Sequence, residues 1–363
     1  MKILVYIGHP AKYHFFKHAI SRLKADGHEV RVLIKTKDIL EQLLCEDHLE
    51  YKNIQKTPRK NTKWSMLVAS LKRSWSVYQE ARHFRADLLV GSDASIAQSA
   101  WLLHKPAITT LEDDVEIIRN LARLTYPFTS DILVPSVCRV GKWNQKKIGY
   151  DGYMKLAYLH PHYFQPDKSV IEKYGIRNRF ILIRLARLTA YHDQGIKGLN
   201  AALVDQILVM AEKSGYGIYI SSESDMEERL KPYQLKIRHT DIHHVMAFAS
   251  LLISDSQSMS VEAAMLGTPN LRFSDFSGRI SVLEELEYKY GLTLGIKTSE
   301  PQRLLNEMKV LLERDTRAIF RERRERMISE KIDVTAFLIW YLEHYPDSRQ
   351  TMKEDPDFQY KFQ

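Results

Sequence analysis

The sequence predicts two α/β domains, each built on a mostly parallel sheet. Three observations carry this. Short β-branched or aliphatic runs alternate with longer amphipathic segments along the chain. The alternation pauses at a turn-rich stretch, residues 149–166, and then restarts. The length of 363 residues suits two domains of roughly 150 residues each.

The elements follow in order. Residues 2–8 read as a strand. Residues 11–25 read as a helix with Phe15, Ala19 and Leu23 on one stripe and Gly27 as its stop. A strand at 29–35, a helix at 37–45 and a strand at 49–55 come next, then a polar loop at 58–62. A long helix spans 64–84, followed by a strand at 87–92, a helix at 94–103 and strands at 107–111 and 131–135. The second block gives strands at 180–185, 217–221, 251–255 and 270–273, with helices at 199–214, 240–249 and 259–266 between them. Two or three helices close the chain. Residues 314–331 are dense in both signs of charge and read as a solvated helix face. From Pro346 onward the sequence reads as a loosely ordered polar tail.

Composition excludes several classes. Hydrophobic residues make up 44% and charged residues 27%, which rules out a disordered, collagen-like or disulfide-dense chain. Cys45 and Cys138 are too few for a disulfide framework and point to a reducing compartment. No apolar stretch is long enough to span a bilayer, and the first residues lack a leader pattern. A cytoplasmic protein is the expectation. The net charge of +8 favours an anionic partner. No basic stripe with interleaved aromatics appears, which argues against nucleic acid.

Four features can carry chemistry. The first is the loop after strand one, with Gly8, His9, Lys12 and His14. A strand-to-helix turn at the carboxyl edge of a parallel sheet is where such folds bind ligands. Its single glycine excludes the dinucleotide fingerprint. The second is the pair of strand ends at Asp93 and at Glu112, Asp113 and Asp114. Two carboxylates in one site suit acid–base work, but Asp93, Asp113 and Asp114 are also good helix caps. The third is the run from Leu251 to Pro269. There a buried strand ends in Asp255, Ser256, Gln257 and Ser258, and a helix starts. Backbone N–H groups, hydroxyls and the helix dipole favour phosphate there. Glu262 follows Ser258 by four residues and can accept two hydrogen bonds from a ribose diol. The fourth is Arg184 with Arg187, placed to clamp a diphosphate or to pair on the surface. No cluster has metal-ligand spacing, and no GxSxG or Walker A motif is present.

Four separated stretches resemble a family. They are Gly8-His9-Pro10-Ala11 with His14-Phe15-Phe16-Lys17; Gly152-Tyr153 with Lys155-Leu156-Ala157-Tyr158-Leu159-His160-Pro161; Ser221-Ser222-Glu223; and Asp255-Ser256-Gln257-Ser258-Met259 with Glu262-Ala263-Ala264 and Leu266-Gly267-Thr268-Pro269. Together they resemble an uncharacterised prokaryotic family in the GT-B glycosyltransferase superfamily, over residues 1 to about 310. The non-hydrolysing UDP-N-acetylglucosamine 2-epimerases and the lipid II-forming glycosyltransferase are more distantly similar. The Gly-Gly of the epimerase phosphate loop is Gln257-Ser258 here, and the epimerase His of the second domain has no counterpart.

The resemblance implies a GT-B fold of two Rossmann-like domains facing a cleft. Residues 1–160 would form the acceptor side and 161–330 the nucleotide-sugar side. Residues 331–363 would cross back toward the first domain. It further implies a transferase using a UDP-linked donor as substrate, with no metal or other cofactor. Gly8, His9, Arg184, Arg187, Ser256, Gln257, Ser258 and Glu262 would bind the donor. His14, Asp93 or Glu112 would take the acceptor's proton. An epimerase using Asp93 and Glu112, or an inactive nucleotide-sugar-binding protein, are the alternatives. A glycan or lipid-linked acceptor, peripheral membrane contact and a homodimer complete the expected partners.

Overall fold

The computed structural model describes residues 1–56, 63–186, 198–222 and 226–363. The predicted loop at 58–62 lies outside them, as do residues 187–197, which include Arg187, and residues 223–225, which include Glu223. The chain forms two compact units: Met1–Tyr158 with Lys331–Gln363, and Leu159–Glu330.

The first unit begins β1 (Lys2–Ile7), α1 (Pro10–Ala25), β2 (Glu29–Lys35), α2 (Leu40–Glu46) and β3 (Lys52–Gln55). It continues α3 (Lys63–Phe84), β4 (Leu88–Gly91), α4 (Ala94–Leu102), β5 (Ala107–Thr110), α5 (Arg119–Thr125), β6 (Asp131–Pro135) and β7 (Lys147–Tyr150). The short α6 (Leu156–Leu159) ends the stretch. The second unit holds α7 (Lys168–Lys173), β8 (Phe180–Leu185), α8 (Ala201–Lys213), β9 (Gly217–Ser222), α9 (Ile242–Phe248) and β10 (Leu251–Ser254). It continues α10 (Gln257–Leu266), β11 (Asn270–Phe273), α11 (Ser281–Glu284), β12 (Leu294–Ile296), α12 (Pro301–Glu313) and α13 (Arg317–Glu330). The chain then returns to the first unit as α14 (Val334–Glu343) and α15 (Asp347–Glu354).

The first sheet has the order β3-β2-β1-β4-β5-β6-β7, and the second β12-β11-β10-β8-β9. All pairings between these strands are parallel. Helices covering both faces explain the continuous apolar strands. Ile3 through Ile7 in β1 and Leu251 through Ile253 in β10 are essentially solvent-free. The order also fixes where a ligand can sit. The direction in which successive strands are added reverses between β1 and β4 in the first unit, and between β8 and β10 in the second. Loops leaving the carboxyl ends of those strands diverge and leave a crevice. Gly8 and Asp93 flank the first switch point, Arg184 and Asp255 the second.

Several boundaries differ from expectation. The helix expected from residue 37 starts at Leu40, because Asp38 adopts φ 47°, which no α-helix accommodates. The helix expected at 240–249 is a short 3-10 turn, His239–Asp241, followed by α9. The strand β7 lies where the sequence reads as a turn-rich joint, since Gly149 masks its apolar alternation. The loosely ordered tail is a correction. Residues from Pro346 onward form α15 and a 3-10 segment, Pro356–Phe362. Phe358 stacks on Trp340 at 4.7 Å, and the Asp333 N–H donates to the Phe362 carbonyl at 2.7 Å. Arg349 donates to the fully buried Asp131 at 2.6 Å. Ring burial and one ion pair thus order a segment whose composition is polar. The charged helix α13 carries the expected i,i+4 pair, Arg326 with Glu330, but also buries Phe320 and Met327.

Candidate functional site

The first unit's switch point is built from the ends of β1, β4 and β5. The loop after β1 is short because α1 starts at once, with Pro10 in its first turn. His9 caps that helix, its Nδ1 accepting the Ala11 N–H at 3.2 Å. A Cβ at Gly8 would lie 3.1 Å from the Tyr6 ring, so a side chain there would crowd it. His14, on the next turn, stacks on Tyr158 with centroids 5.0 Å apart.

The two candidate carboxylates are held by the fold. Asp93 caps α4 through the Ser95 N–H at 3.0 Å and its hydroxyl at 2.8 Å, and accepts from Arg73 Nε at 3.1 Å. Burial pushes the Asp93 pKa up, but Arg73, Lys35 and the Ser95 bonds outweigh it and hold the carboxyl below its usual range. Glu112 accepts from Lys155 Nζ at 2.6 Å and from the Met154 N–H at 2.7 Å. Both side chains of that pair are largely buried. Asp114 is fully buried and accepts the Arg139 N–H at 2.8 Å.

Lys12 joins this group from α1. Its Nζ donates to the Thr110 carbonyl at 3.0 Å and meets Met154 Sδ at 3.1 Å. Burial, and then the neighbouring Lys155, lower its pKa to about 7, while Glu112, Asp113 and Cys138 act in the opposite sense. Lys155 and Arg73, the partners that fix the two carboxylates, are not assigned roles by sequence reasoning. Lys155 stands alone among apolar residues just before α6, whereas Arg73 follows Lys72 on α3 and carries no distinguishing local signal.

The second switch point is organised by Asp255. Its carboxylate accepts the Ala186 N–H at 2.7 Å and the Leu199 N–H at 3.3 Å. A Cβ at Gly198 would fall 2.4 Å from Oδ2, so glycine is required for this approach. Burial pushes the Asp255 pKa up to about 6 against those two bonds and Arg184. Ser256 then caps α10, accepting the Met259 N–H at 3.4 Å. Its own N–H donates to Ser254 Oγ at 2.8 Å. Gly267, at φ 70°, ends the helix in the left-handed conformation.

Gln257 is pinned at both ends of its amide. Its Nε2 donates to the Asp255 carbonyl at 3.3 Å, and its Oε1 accepts from Arg272 Nη1 at 3.0 Å. Arg272 is fully buried and pairs with Glu287 at 3.4 Å. Its signal in the sequence is a lone charge within a buried strand. Ser258 is half-buried, and its hydroxyl makes no hydrogen bond among the described residues. Glu262 is buried on α10, its Oε1 3.5 Å from Nε2 of His243. Arg184 Nη1 donates to Ser221 Oγ at 2.7 Å. The sheet register places Ser221, Arg184, Ser254, Arg272 and Gly295 in one row across five strands.

The structure therefore brings Gly8, His9, His14, Asp93 and Glu112 to the strand ends of the first unit. It brings Arg184, Ser256, Gln257, Ser258 and Glu262 to those of the second. Arg187 lies outside the described residues.

Solved structures share this architecture. S. aureus MnaA in a co-structure with UDP has a TM-score of 0.69 at 11% identity, covering 96% of this chain and 97% of that one. The Neisseria meningitidis UDP-GlcNAc 2-epimerase bound to UDP-GlcNAc has 0.66 at 13% identity, covering 94% and 99%. The glycotransferase of kitacinnamycin has 0.60 at 11% identity, covering 94% and 98%. These likenesses establish a GT-B-type α/β fold. No curated protein sequence matches the chain. A family model described as "Protein of unknown function (DUF354)" matches residues 1–333, and the chain belongs to that family.

Proposed function

We propose that the chain is a glycosyltransferase-like enzyme that binds a UDP-linked sugar on its second unit. Its place would be cell-surface polysaccharide or glycoconjugate biosynthesis, with a glycan or lipid-linked acceptor. The observation that carries the donor site is the start of α10. A ten-residue helix points its N-terminus at a switch-point crevice, with Ser256, Gln257 and Ser258 at its mouth and Glu262 one turn on. Two of the similar structures, S. aureus MnaA and the Neisseria meningitidis epimerase, are bound to UDP and to UDP-GlcNAc. In this reading the α10 N–H groups and Ser258 hold the diphosphate, Arg184 assists, and Glu262 accepts the ribose hydroxyls.

Transfer is favoured over epimerisation by the state of the two carboxylates. An epimerase needs groups that lose and regain a proton. Asp93 is committed to Arg73 and Ser95, and Glu112 to Lys155 and the Met154 N–H. We assign the acceptor's proton to His14. The acceptor oxygen bonds to the anomeric carbon, the bond from that carbon to the diphosphate breaks with its electron pair, and the hydroxyl proton passes to the imidazole.

A thermal-shift panel of UDP, GDP, CDP and dTDP with their sugars tests the donor site. At about 100 times its dissociation constant a bound nucleotide adds about 2.7 kcal/mol of stability. Glu262→Gln should lose most of that shift while the unliganded melting point changes little. No shift with any nucleotide overturns the assignment. Epimer formed from UDP-GlcNAc without acceptor would replace transfer by epimerisation.

A further inference from the structure

We propose that the outer face of α3, α4 and α5 is a docking surface for an anionic lipid bilayer. Six of the twelve exposed large hydrophobic side chains among the described residues lie on these three helices. Val68, Leu71 and Trp75 recur at helical spacing along one stripe of α3. Trp101 and Leu102 end α4, and Leu124 lies on α5. Trp75 and Trp101 are each more than half exposed, at 59% and 57%.

The helices are contiguous at this face. Ser74 of α3 donates to Gln98 of α4 at 3.0 Å, and Gln98 donates to the Leu124 carbonyl of α5 at 3.1 Å. Two polar bridges thus hold the three apolar segments side by side. Isolated exposed apolar residues need no explanation, but a clustered set does.

Charge decides what covers the face. Lys72, Lys105, Arg119 and Arg123 are exposed around it, and none makes an ion pair among the described residues. Residues 68–79, 94–105 and 119–125 contain no Asp or Glu. Along α5 runs a groove of about 310 Å³ whose lining includes Arg119, Arg123, Lys142 and Trp143. Its one acidic side chain, Glu116, is paired with Arg139. Tryptophan and leucine amid unpaired Lys and Arg is the composition that enters a headgroup region, apolar groups inward and cations at the phosphates. No helix among the described residues is long and apolar enough to cross a membrane, so the contact would be peripheral.

This inference stands apart from the proposed reaction, because its test uses neither nucleotide nor acceptor. The full chain is floated with vesicles of phosphatidylcholine alone and with 30% phosphatidylglycerol. Co-flotation is expected with the anionic vesicles only, weakening as salt rises. Leu71→Glu with Trp75→Glu, and separately Trp101→Glu, should each cut the bound fraction at least tenfold with unchanged melting points. Arg119→Gln with Arg123→Gln should weaken binding about 5-fold per charge removed. Tyr288→Glu, a 77% exposed control in the second unit, should leave it unchanged. No flotation with anionic vesicles, or flotation indifferent to these variants, overturns the proposal. So does a stable dimer in sedimentation that the same variants dissociate, since a second copy would then cover the face.

Discussion

The two switch points handle charge in opposite ways. In the first unit, cations and carboxylates are balanced against one another. Arg73 holds Asp93, Lys155 holds Glu112, and Lys12 is driven toward neutrality beside them. In the second unit, the carboxylate at the strand end makes no ion pair among the described residues, and Arg184 acts on it only through its field. Asp255 is spent on two backbone N–H groups, and the crevice is left to hydroxyls and a helix N-terminus. A site whose charges are internally satisfied offers shape and hydrogen-bonding polarity. A site that presents unopposed N–H groups attracts an anion. This contrast supports the proposed placement of the diphosphate on the second unit and of the uncharged hydroxyl chemistry on the first.

The sharpest way to break this contrast is to remove one partner of the first unit's buried pair. Lys155→Ala leaves Glu112 charged and nearly buried, with a loss of about 3–5 kcal/mol expected. The double variant Glu112→Gln with Lys155→Met removes both charges and should recover much of that loss. Urea unfolding measures each. A loss under about 1 kcal/mol for Lys155→Ala would mean that the pair behaves like an exposed one, and the internal-balance argument would fail.

Asp255 provides the corresponding test in the second unit. Its folded pKa of about 6 lies above the 3.8 of an ordinary aspartate. The unfolded chain then binds fewer protons than the native one between those values, so this group's contribution falls as pH rises. It is most favourable below about pH 4 and is lost as pH passes 6. The amplitude is about 3 kcal/mol. Asp255→Asn removes the titration. The stability of the parent relative to that variant should increase on going from pH 7 to pH 4. A pH-independent difference would show that Asp255 is ordinarily ionised and that burial does not govern it.

Much of this was legible before the fold was known. The alternation of strands and helices and the strand-end positions of Asp93, Glu112, Asp255 and Ser256 follow from local pattern, because parallel strands are apolar and end where their ligand loops begin. Spacing alone does not reveal what each side chain is tied to. Asp93 reads as a base or as a cap, and the Ser95 bonds together with Arg73, twenty residues earlier, decide it. Arg272 meets Gln257 through the adjacency of β10 and β11, which no local pattern encodes. The tail departs from its sequence expectation for the same reason. Phe358 and Phe362 are isolated aromatics in a polar segment until Trp340 and Phe337 are brought beneath them.

The smallest effects separate holding the loop from holding the ligand. Ser256 caps α10, so Ser256→Ala should cost about 1 kcal/mol of stability. Ser258 makes no such bond among the described residues, and alanine is the better helix former by a few tenths of a kcal/mol. Ser258→Ala should therefore leave the unliganded protein within about 0.5 kcal/mol of the parent. If its hydroxyl meets a diphosphate oxygen, the variant loses a charge-assisted bond worth about 1.5–3 kcal/mol, or roughly 10- to 150-fold in nucleotide affinity. Calorimetric titration of both variants with UDP separates the two roles. If Ser258→Ala binds UDP as the parent does, the diphosphate rests on backbone N–H groups alone. The contrast between the units would then lie in the α10 dipole rather than in its hydroxyls.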